Sequence, residues 1–156
     1  MISVTIPVFN EEKNLEELYV KLVLVLDKMI CPYEIIFVND GSSDGSSEII
    51  NKLAATDAKV KAVHFARNFE QTAAMMAGFD HAAGDIIIPI DADLQNDPKD
   101  IPKLVAKILV ALNTSEIETN IASGRCQCCE GQSQCIRSEL IDTIRKVLAC
   151  GFLNLR

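Results

Sequence analysis

Short apolar runs alternate with amphipathic stretches over the first 112 residues of the chain. The runs are rich in β-branched residues and lie at about residues 2–9, 34–39, 60–65 and 86–90. Runs of this length and composition are typical of strands buried in a sheet. Between and after them, apolar side chains recur at helical spacing at about residues 11–29, 46–56, 68–83 and 100–112. This alternation predicts an α/β fold with a mostly parallel sheet and helices on both faces.

Two residues are of types that commonly flank helices. Asn10 follows the first apolar run, where an asparagine side chain can cap a helix N-terminus, and Glu11 and Glu12 come next. Gly84 follows the third helical stretch, as a glycine beyond a helix C-terminus commonly does. We therefore expect the first helix to begin beside Asn10 and the third to end beside Gly84.

The carboxyl ends of the four predicted strands are expected to lie along one edge of the sheet. Parallel strands joined by right-handed crossovers all point the same way, and open α/β sheets bind their ligands at that edge. The residues at these ends are Phe9-Asn10, Asn39-Asp40, Phe65-Ala66 and Asp91. Side chains far apart in the sequence should therefore converge on one site.

Asp91 and Asp93 form an acidic pair at the tip of the fourth predicted strand. Two carboxylates this close repel each other unless a cation lies between them. With Gln95 they offer oxygen atoms to an octahedral Mg²⁺ or Mn²⁺ ion that carries a substrate phosphate. Ala92 is small and leaves room for that phosphate. Two exposed carboxylates on a loop are also a common surface feature, so these residues alone leave both interpretations open.

The ends of the first two predicted strands supply further candidates. Asp40 could accept hydrogen bonds from a base or a ribose, and the following Gly41 would let the backbone approach the ligand. The segment Pro7-Val8-Phe9-Asn10-Glu11 could line a nucleoside slot, with Phe9 as an apolar wall. Solvated loops and helix caps are the structural alternatives for both segments. Neither has the spacing of a Walker loop or of a dinucleotide-binding fingerprint.

Other polar side chains carry weaker indications of chemistry. His64 and His81 have no second His or Cys at ligand spacing, so core packing or surface exposure is expected rather than catalysis. Arg67 follows the third predicted strand, where it could bind a phosphate bidentately or form a surface ion pair. A cysteine cluster near the C-terminus has four potential zinc ligands, but not in regular CxxC pairs, and free thiols are expected there. The cluster consists of Cys126, Cys128, Cys129 and Cys135.

Composition narrows the classes of function. The chain has 156 residues and a net charge of −7, which argues against a nucleic-acid binder, because such proteins usually present a basic face. No segment reaches the roughly 18 apolar residues of a membrane-spanning helix, and the N-terminus shows no basic region of a secretory signal. We expect a cytoplasmic location, including peripheral contact with the cytoplasmic face of a membrane.

Six motifs follow one another in order over residues 1–112. They are SVTIPVFNE at 3–11, FVNDGSSDGS at 37–46, RNF at 67–69, AGF at 77–79, AGD at 83–85 and DADLQNDP at 91–98. In this order they resemble the family 2 glycosyltransferases, which have the GT-A (Rossmann-like) fold. DADLQ followed by DP is similar to the branch that acts on polyprenyl phosphates, which includes dolichyl-phosphate mannosyltransferases and bactoprenol glucosyltransferases.

The resemblance implies a metal-dependent, inverting hexosyltransferase of the cell envelope that uses a UDP- or GDP-sugar. The acceptor would be a lipid-linked phosphate such as dolichyl or undecaprenyl phosphate, with Arg125 as a candidate ligand for that phosphate. Asp91 and Asp93 would be the catalytic pair, and with Gln95 they would hold Mg²⁺ or Mn²⁺. The nucleotide-sugar would be bound by the residues Pro7, Val8, Phe9, Glu11, Asp40, Asp91, Ala92 and Asp93.

The resemblance weakens after residue 112. In the family, a strand and a GxR-type segment follow, then an amphipathic helix at the membrane surface. Here Gly124-Arg125 is similar to the GxR segment, the cysteine-rich stretch matches nothing in the family, and helical spacing returns at about residues 138–155. We expect a nucleotide-sugar-binding part at 1–112 and a divergent or truncated acceptor-side part at 113–156.

Two other functions are kept beside the transferase. A non-catalytic nucleotide-sugar-binding module, or an inactive fragment, would bind the donor without turnover. A phosphatase with an aspartate nucleophile is disfavoured, because such enzymes usually carry that residue after the first strand, where this chain has Asn10-Glu11.

Overall fold

Strands and helices alternate along residues 1–113, the part of the chain that the computed structural model describes, with side chains described through Leu109. The strands are β1 Ile2–Val8, β2 Tyr33–Asn39, β3 Val60–His64 and β4 Ile86–Pro89. The helices are α1 Leu15–Leu26, α2 Ser46–Thr56, α3 Gln71–His81 and α4 Ile101–Asn113, with a short 3-10 turn, Pro98–Asp100, before α4. The alternation expected from the sequence is confirmed.

The four strands form one sheet in the order β3-β2-β1-β4, and every neighbouring pair is parallel. Ile2 of β1 pairs with Tyr33 of β2 on one side and with Ile86 of β4 on the other. In this register β1 is central, and its residues are buried except for the half-buried Pro7. The carboxyl ends of all four strands lie along one edge, as the sequence predicted.

Helices cover both faces of the sheet. Ile36 and Val38 of β2 pack against Ala74 of α3 on one face. A β-carbon placed on Gly78 would lie 3.0 Å from Cβ of Thr5, so α3 lies close against β1. The other face packs against α1, α2 and α4, and burying each of its leucines contributes about 1.5–3 kcal/mol. Its fully buried residues include Ile2, Val4, Ile6, Leu15, Leu18, Leu22, Leu26, Ile35, Phe37 and Ile50.

The predicted start of the first helix is wrong. Helix α1 begins at Leu15, and Asn14 precedes it without a capping hydrogen bond from its side chain. Asn10 has a φ of 57°, outside the helical region, and its Oδ1 atom accepts a hydrogen bond from the backbone N–H of Ser43 at 2.8 Å. The asparagine therefore binds the loop after β2 instead of capping α1. Its partner, Ser43, is distant in the sequence, so a local pattern could not predict the contact.

The predicted role of Gly84 is also wrong. Helix α3 ends at His81, and the next residue, Ala82, is extended. A β-carbon at Gly84 would lie 2.6 Å from Oγ of Ser3 and 2.8 Å from the carbonyl oxygen of Met1. The glycine is needed because the turn into β4 passes directly over the start of β1.

Several predictions lie outside the described residues. They are the helix at 138–155, the cysteine cluster at 126–135, Arg125 and the character of the part at 113–156. No helix within residues 1–113 has the length and the apolar character needed to cross a membrane.

Candidate functional site

A cleft of about 430 Å³ opens at the carboxyl edge of the sheet. The ends of β1, β2 and β4 and the first turn of α3 form its walls. Its lining residues are Pro7, Val8, Phe9, Glu11, Asp40, Asn68, Gln71, Ala74, Asp91, Ala92 and Asp93. Residues as far apart in the sequence as Pro7 and Asp93 therefore meet at one site.

The eight residues predicted from the sequence to bind the nucleotide-sugar all line the cleft. They are Pro7, Val8, Phe9, Glu11, Asp40, Asp91, Ala92 and Asp93. Gln95 is exposed and does not line it, and Arg125 lies outside the described residues. Three lining residues were missed by the sequence reasoning: Asn68, Gln71 and Ala74. Asn68 belongs to the RNF motif, and Gln71 and Ala74 are three apart, so they share a face of α3. The sequence did not show which face of α3 meets the cleft, because the helix was predicted to begin at residue 68 and begins at Gln71.

Asp40 joins two loops at the centre of the cleft. Its side chain is only 3 % exposed, and its Oδ1 atom accepts a hydrogen bond from the backbone N–H of Phe69 at 2.7 Å. The next residue, Gly41, has a φ of 67°, and a β-carbon there would lie 2.4 Å from the carbonyl carbon of Arg67. The loop after β2 is therefore packed against the connection between β3 and α3.

The connection after β1 is hydrogen-bonded to the same loop. The backbone N–H of Glu11 donates to Oγ of Ser46 at 3.0 Å, and that of Glu12 donates to the Asp44 carboxylate at 3.1 Å. Partial burial opposes ionisation of Asp44, but the hydrogen bonds from Ser46 and from Glu12 outweigh it and lower the pKa of that carboxyl. These contacts fix the position of Phe9 and Glu11 at the mouth of the cleft.

The acidic pair follows β4 after one intervening residue, Ile90. Oδ1 of Asp91 accepts a hydrogen bond from the side-chain amide of Gln71 at 2.9 Å, and Oδ2 accepts one from Asn96 at 3.4 Å. Oδ1 of Asp93 accepts the backbone N–H of Gln95 at 3.0 Å across a tight turn, in which Leu94 has a φ of 64°. Both carboxylates are held by neutral donors.

The cleft carries several carboxylates and no compensating cation from the described side chains. Glu11, Asp40, Asp91 and Asp93 line it, and among the side chains that the structure describes, none of the four forms an ion pair with a lysine or arginine. Carboxylates gathered without cations favour the binding of a positive ion.

The residues present fit a divalent ion that is shared with a ligand. Within residues 1–113, His, Cys, Asp and Glu side chains form no group of three that could enclose a metal by themselves. Asp91 and Asp93 thus offer an incomplete set of hard oxygen ligands at the cleft wall. Mg²⁺ is commonly bound in this way, by one or two carboxylates plus substrate phosphates and water.

Three residues with strained backbones surround the cleft. Asn10, Glu70 and Leu94 have φ values of 57°, 75° and 64°, and each directly adjoins a lining residue. Such conformations cost on the order of 1–3 kcal/mol each in residues other than glycine and are concentrated at functional sites. Their placement supports the cleft as the functional site of the described part of the chain.

His64 and Arg67 do not line the cleft. His64 is exposed, with Nδ1 lying 3.2 Å from the side-chain amide of Asn39 and Nε2 lying 3.0 Å from Oδ1 of Asn51. Arg67 lies over the ring of Phe69, 4.6 Å from its centroid. The expectation that His64 serves in packing or at the surface agrees with this geometry.

Comparisons with known proteins converge on one family. The model of the family described as "Glycosyl transferase family 2" matches residues 3–111. Two similar curated proteins are the undecaprenyl-phosphate 4-deoxy-4-formamido-L-arabinose transferases of Edwardsiella ictaluri, 49 % identical over 105 residues, and of Aeromonas hydrophila, 47 % identical over 106 residues. Each match covers 67 % of this chain and 32 % of the relative. The chain thus spans about a third of the length of these relatives.

Solved structures share the fold. A mannosyltransferase of Pyrobaculum calidifontis in complex with GDP-Man and Mn²⁺ superposes with a TM-score of 0.56 at 24 % identity, covering 72 % of this chain and 32 % of that protein. A glucosyl-3-phosphoglycerate synthase of Mycobacterium tuberculosis in complex with UDP gives 0.55 at 26 % identity, covering 70 % and 40 %. The sheet and its helices are therefore those of the GT-A fold.

Proposed function

The chain belongs to glycosyl transferase family 2, and from this membership we propose that its cleft binds a nucleotide-sugar with a divalent metal ion for transfer of the sugar to a polyprenyl phosphate. The observation that carries the proposal is that carboxylates from the ends of three parallel strands converge on one cleft. None of these carboxylates forms an ion pair with a lysine or arginine among the described side chains. A diphosphate that brings its own cation complements such a site in both charge and ligand chemistry.

The nucleoside occupies the part of the cleft between β1 and β2. Phe9, which is 48 % exposed at the mouth, provides an apolar wall. Asp40 and Glu11 provide hydrogen-bond acceptors for the N–H and O–H groups of a base or ribose. Because Asp40 is buried and held by Phe69, its acceptor position is fixed before the ligand arrives.

The diphosphate and metal occupy the part beside β4. Asp91 and Asp93, with Gln95 as a further candidate, would hold Mg²⁺ or Mn²⁺, and Ala92 leaves space for the phosphates. When bound, the ion supplies neutralisation of the charge that develops on the leaving nucleoside diphosphate. The carboxylates would hold the diphosphate end of the donor at this side of the cleft.

The acceptor is assigned from the names of the relatives, which are undecaprenyl-phosphate sugar transferases. An oxygen of the lipid phosphate forms the new bond to the anomeric carbon with inversion, and the bond from that carbon to the nucleoside diphosphate breaks. A phosphate monoester is largely ionised near neutral pH, so the attacking oxygen needs no general base from the cleft. Arg125 remains the candidate ligand for the acceptor phosphate, and the reaction takes place at the cytoplasmic face of a membrane.

Donor binding is tested by thermal denaturation with a panel of UDP- and GDP-sugars, with and without Mn²⁺. A ligand at one hundred times its dissociation constant stabilises by about 2.7 kcal/mol, which raises the melting temperature of a chain of this size by about 5–10 °C. Asp93→Asn should lose this shift, and Asp80→Asn, an exposed acid of α3 away from the cleft, should keep it. Equal shifts without metal would contradict the role given to Asp91 and Asp93.

Transfer is tested separately, with labelled donor sugar and undecaprenyl phosphate in detergent. Labelled lipid that depends on Mn²⁺ and disappears in Asp93→Asn supports the transferase. Metal-dependent donor binding without labelled lipid would instead assign the chain the role of a donor-binding module.

A further inference from the structure

The short segment from Asn68 to Gln71 spans the cleft between its two acidic regions. At one end, the backbone N–H of Phe69 donates to the Asp40 carboxylate at 2.7 Å. At the other, the side-chain amide of Gln71 donates to Oδ1 of Asp91 at 2.9 Å. The proposed nucleoside side and the proposed metal side are thus connected through three consecutive residues.

Gln71 starts from a fixed position. It is the first residue of α3, a helix that is anchored by the buried Ala74 and by the close contact between Gly78 and Thr5. The helix fixes the backbone of Gln71, so only the side-chain rotamers have to be ordered when its amide binds a partner. The hydrogen bond to Asp91 therefore connects that carboxylate to a backbone position that the helix fixes.

The charge of the hydrogen-bond donor to Asp91 matters as much as its position. An amide orients a carboxylate through a hydrogen bond and leaves the negative charge available to a cation. A lysine or arginine in the same place would pair with that charge and compete with the ion. Asn96, the other donor to Asp91, is also neutral and lies farther away, at 3.4 Å, so Gln71 makes the shorter of the two contacts.

On the basis of the proposed function, we infer that Gln71 is a positioning residue that holds the Asp91 carboxylate in the orientation in which it binds the divalent ion. Partners of metal-binding carboxylates outside the ligand set commonly act in this way, and their loss costs about 10-fold to 100-fold in metal affinity.

The test compares Gln71→Leu with the unmodified full chain by titrating Mn²⁺ in the presence of GDP and, in a second arm, of UDP. Calorimetry measures the affinity of the nucleotide with and without Mn²⁺. We expect Gln71→Leu to weaken the metal-dependent affinity by about 10-fold or more and to leave the metal-free affinity unchanged. Thr72→Val, on the neighbouring exposed position of α3, is the matched control and should bind as the unmodified chain does.

A second substitution tests whether the hydrogen-bond donor to Asp91 must be neutral. Gln71→Lys retains an N–H donor but introduces a positive charge, so it should also weaken Mn²⁺ binding, with a melting temperature equal to that of the control. Unchanged metal-dependent affinity in either Gln71 variant overturns the inference, as does an equal loss of metal-free affinity, which would indicate general disruption. If the unmodified chain shows no metal-dependent affinity for either nucleotide, the proposed function itself fails.

Discussion

The carboxylate of Asp40 at the end of β2 accepts a hydrogen bond from the backbone N–H of Phe69, at 2.7 Å, in the connection between β3 and α3. This contact turns two separate loops into one wall of the cleft. Asp40 therefore supports the wall, and in the proposed function it also presents an acceptor to the nucleoside. Substitutions can separate the two tasks.

Asp40→Ala should destabilise the protein as well as abolish nucleotide binding. It removes the acceptor of the Phe69 N–H, a carboxylate on a residue that is only 3 % exposed. Losing a hydrogen bond to a charged acceptor costs about 1.5–3 kcal/mol, which urea denaturation would measure. Asp40→Asn keeps an oxygen acceptor for Phe69 and should recover most of that free energy of unfolding while nucleotide binding stays weak. Equal stability of all three proteins would contradict the support role.

Gly41→Ala should be more costly than its size suggests. Gly41 has a φ of 67°, and a β-carbon there would lie 2.4 Å from the backbone of Arg67, which cannot move away as a side-chain tip can. Backbone strain and overlap together should lower the free energy of unfolding by about 2–4 kcal/mol. Gly45→Ala is the control, because its nearest contact is the flexible carboxylate of Glu12 at 3.0 Å. A similar loss in both variants would show that the loop tolerates no alanine, whatever its backbone conformation.

Glu70→Gly should stabilise the protein. Glu70 has a φ of 75° and a ψ of 157°, a region that glycine reaches without strain. Relief of that strain, less the greater entropy of glycine in the unfolded chain, should give a net gain of about 1 kcal/mol. The melting temperature should then rise by about 3 °C. Glu48→Gly, inside α2, should instead lose about 1 kcal/mol, and a loss of the same sign at Glu70 would contradict the prediction.

The strands, helices and eight lining residues of the cleft were accessible from the sequence because each depends on local pattern. Apolar runs set the strands, and parallel order places their ends together. The errors have the opposite origin. Asn10 was assigned to a helix cap, but its partner is Ser43 on another loop. Gly84 was assigned to a helix end, but a glycine is needed there because Ser3 lies too close for a β-carbon.

Gln71 shows the same limit at the functional site. Its type and position in α3 carry no signal of function, and its importance arises only because β4 ends beside it, 20 residues later. Contacts between distant segments are set by how helices pack on the sheet. The sequence pattern predicts that the packing exists but not which side chains it brings within hydrogen-bond distance.

At the edge of the sheet opposite the cleft, Glu34 is only 6 % exposed. Its carboxylate lies 2.6 Å from Nζ of Lys61 and accepts hydrogen bonds from Ser3 at 2.6 Å and from the N–H of Ala83 at 2.7 Å. Burial alone would raise the pKa of Glu34, but the contacts with Lys61, Ser3 and Ala83 outweigh it and lower that pKa below its ordinary value of 4.5.

Stability should therefore depend on pH through Glu34. Because its pKa is lower in the folded than in the unfolded state, its contribution is fully present above about pH 4.5 and is lost as the pH falls through the folded-state pKa. Glu34→Gln removes the charge that Lys61 contacts and should cost about 1–3 kcal/mol at pH 7. The difference between the two proteins, measured by urea denaturation from pH 7 to pH 3, should shrink below pH 4.5, whereas Glu48→Gln, an exposed substitution on α2, should show little difference at any pH. A constant difference between Glu34→Gln and the unmodified chain across this range would mean that the charge of Glu34 contributes nothing and that only the shape of its side chain matters.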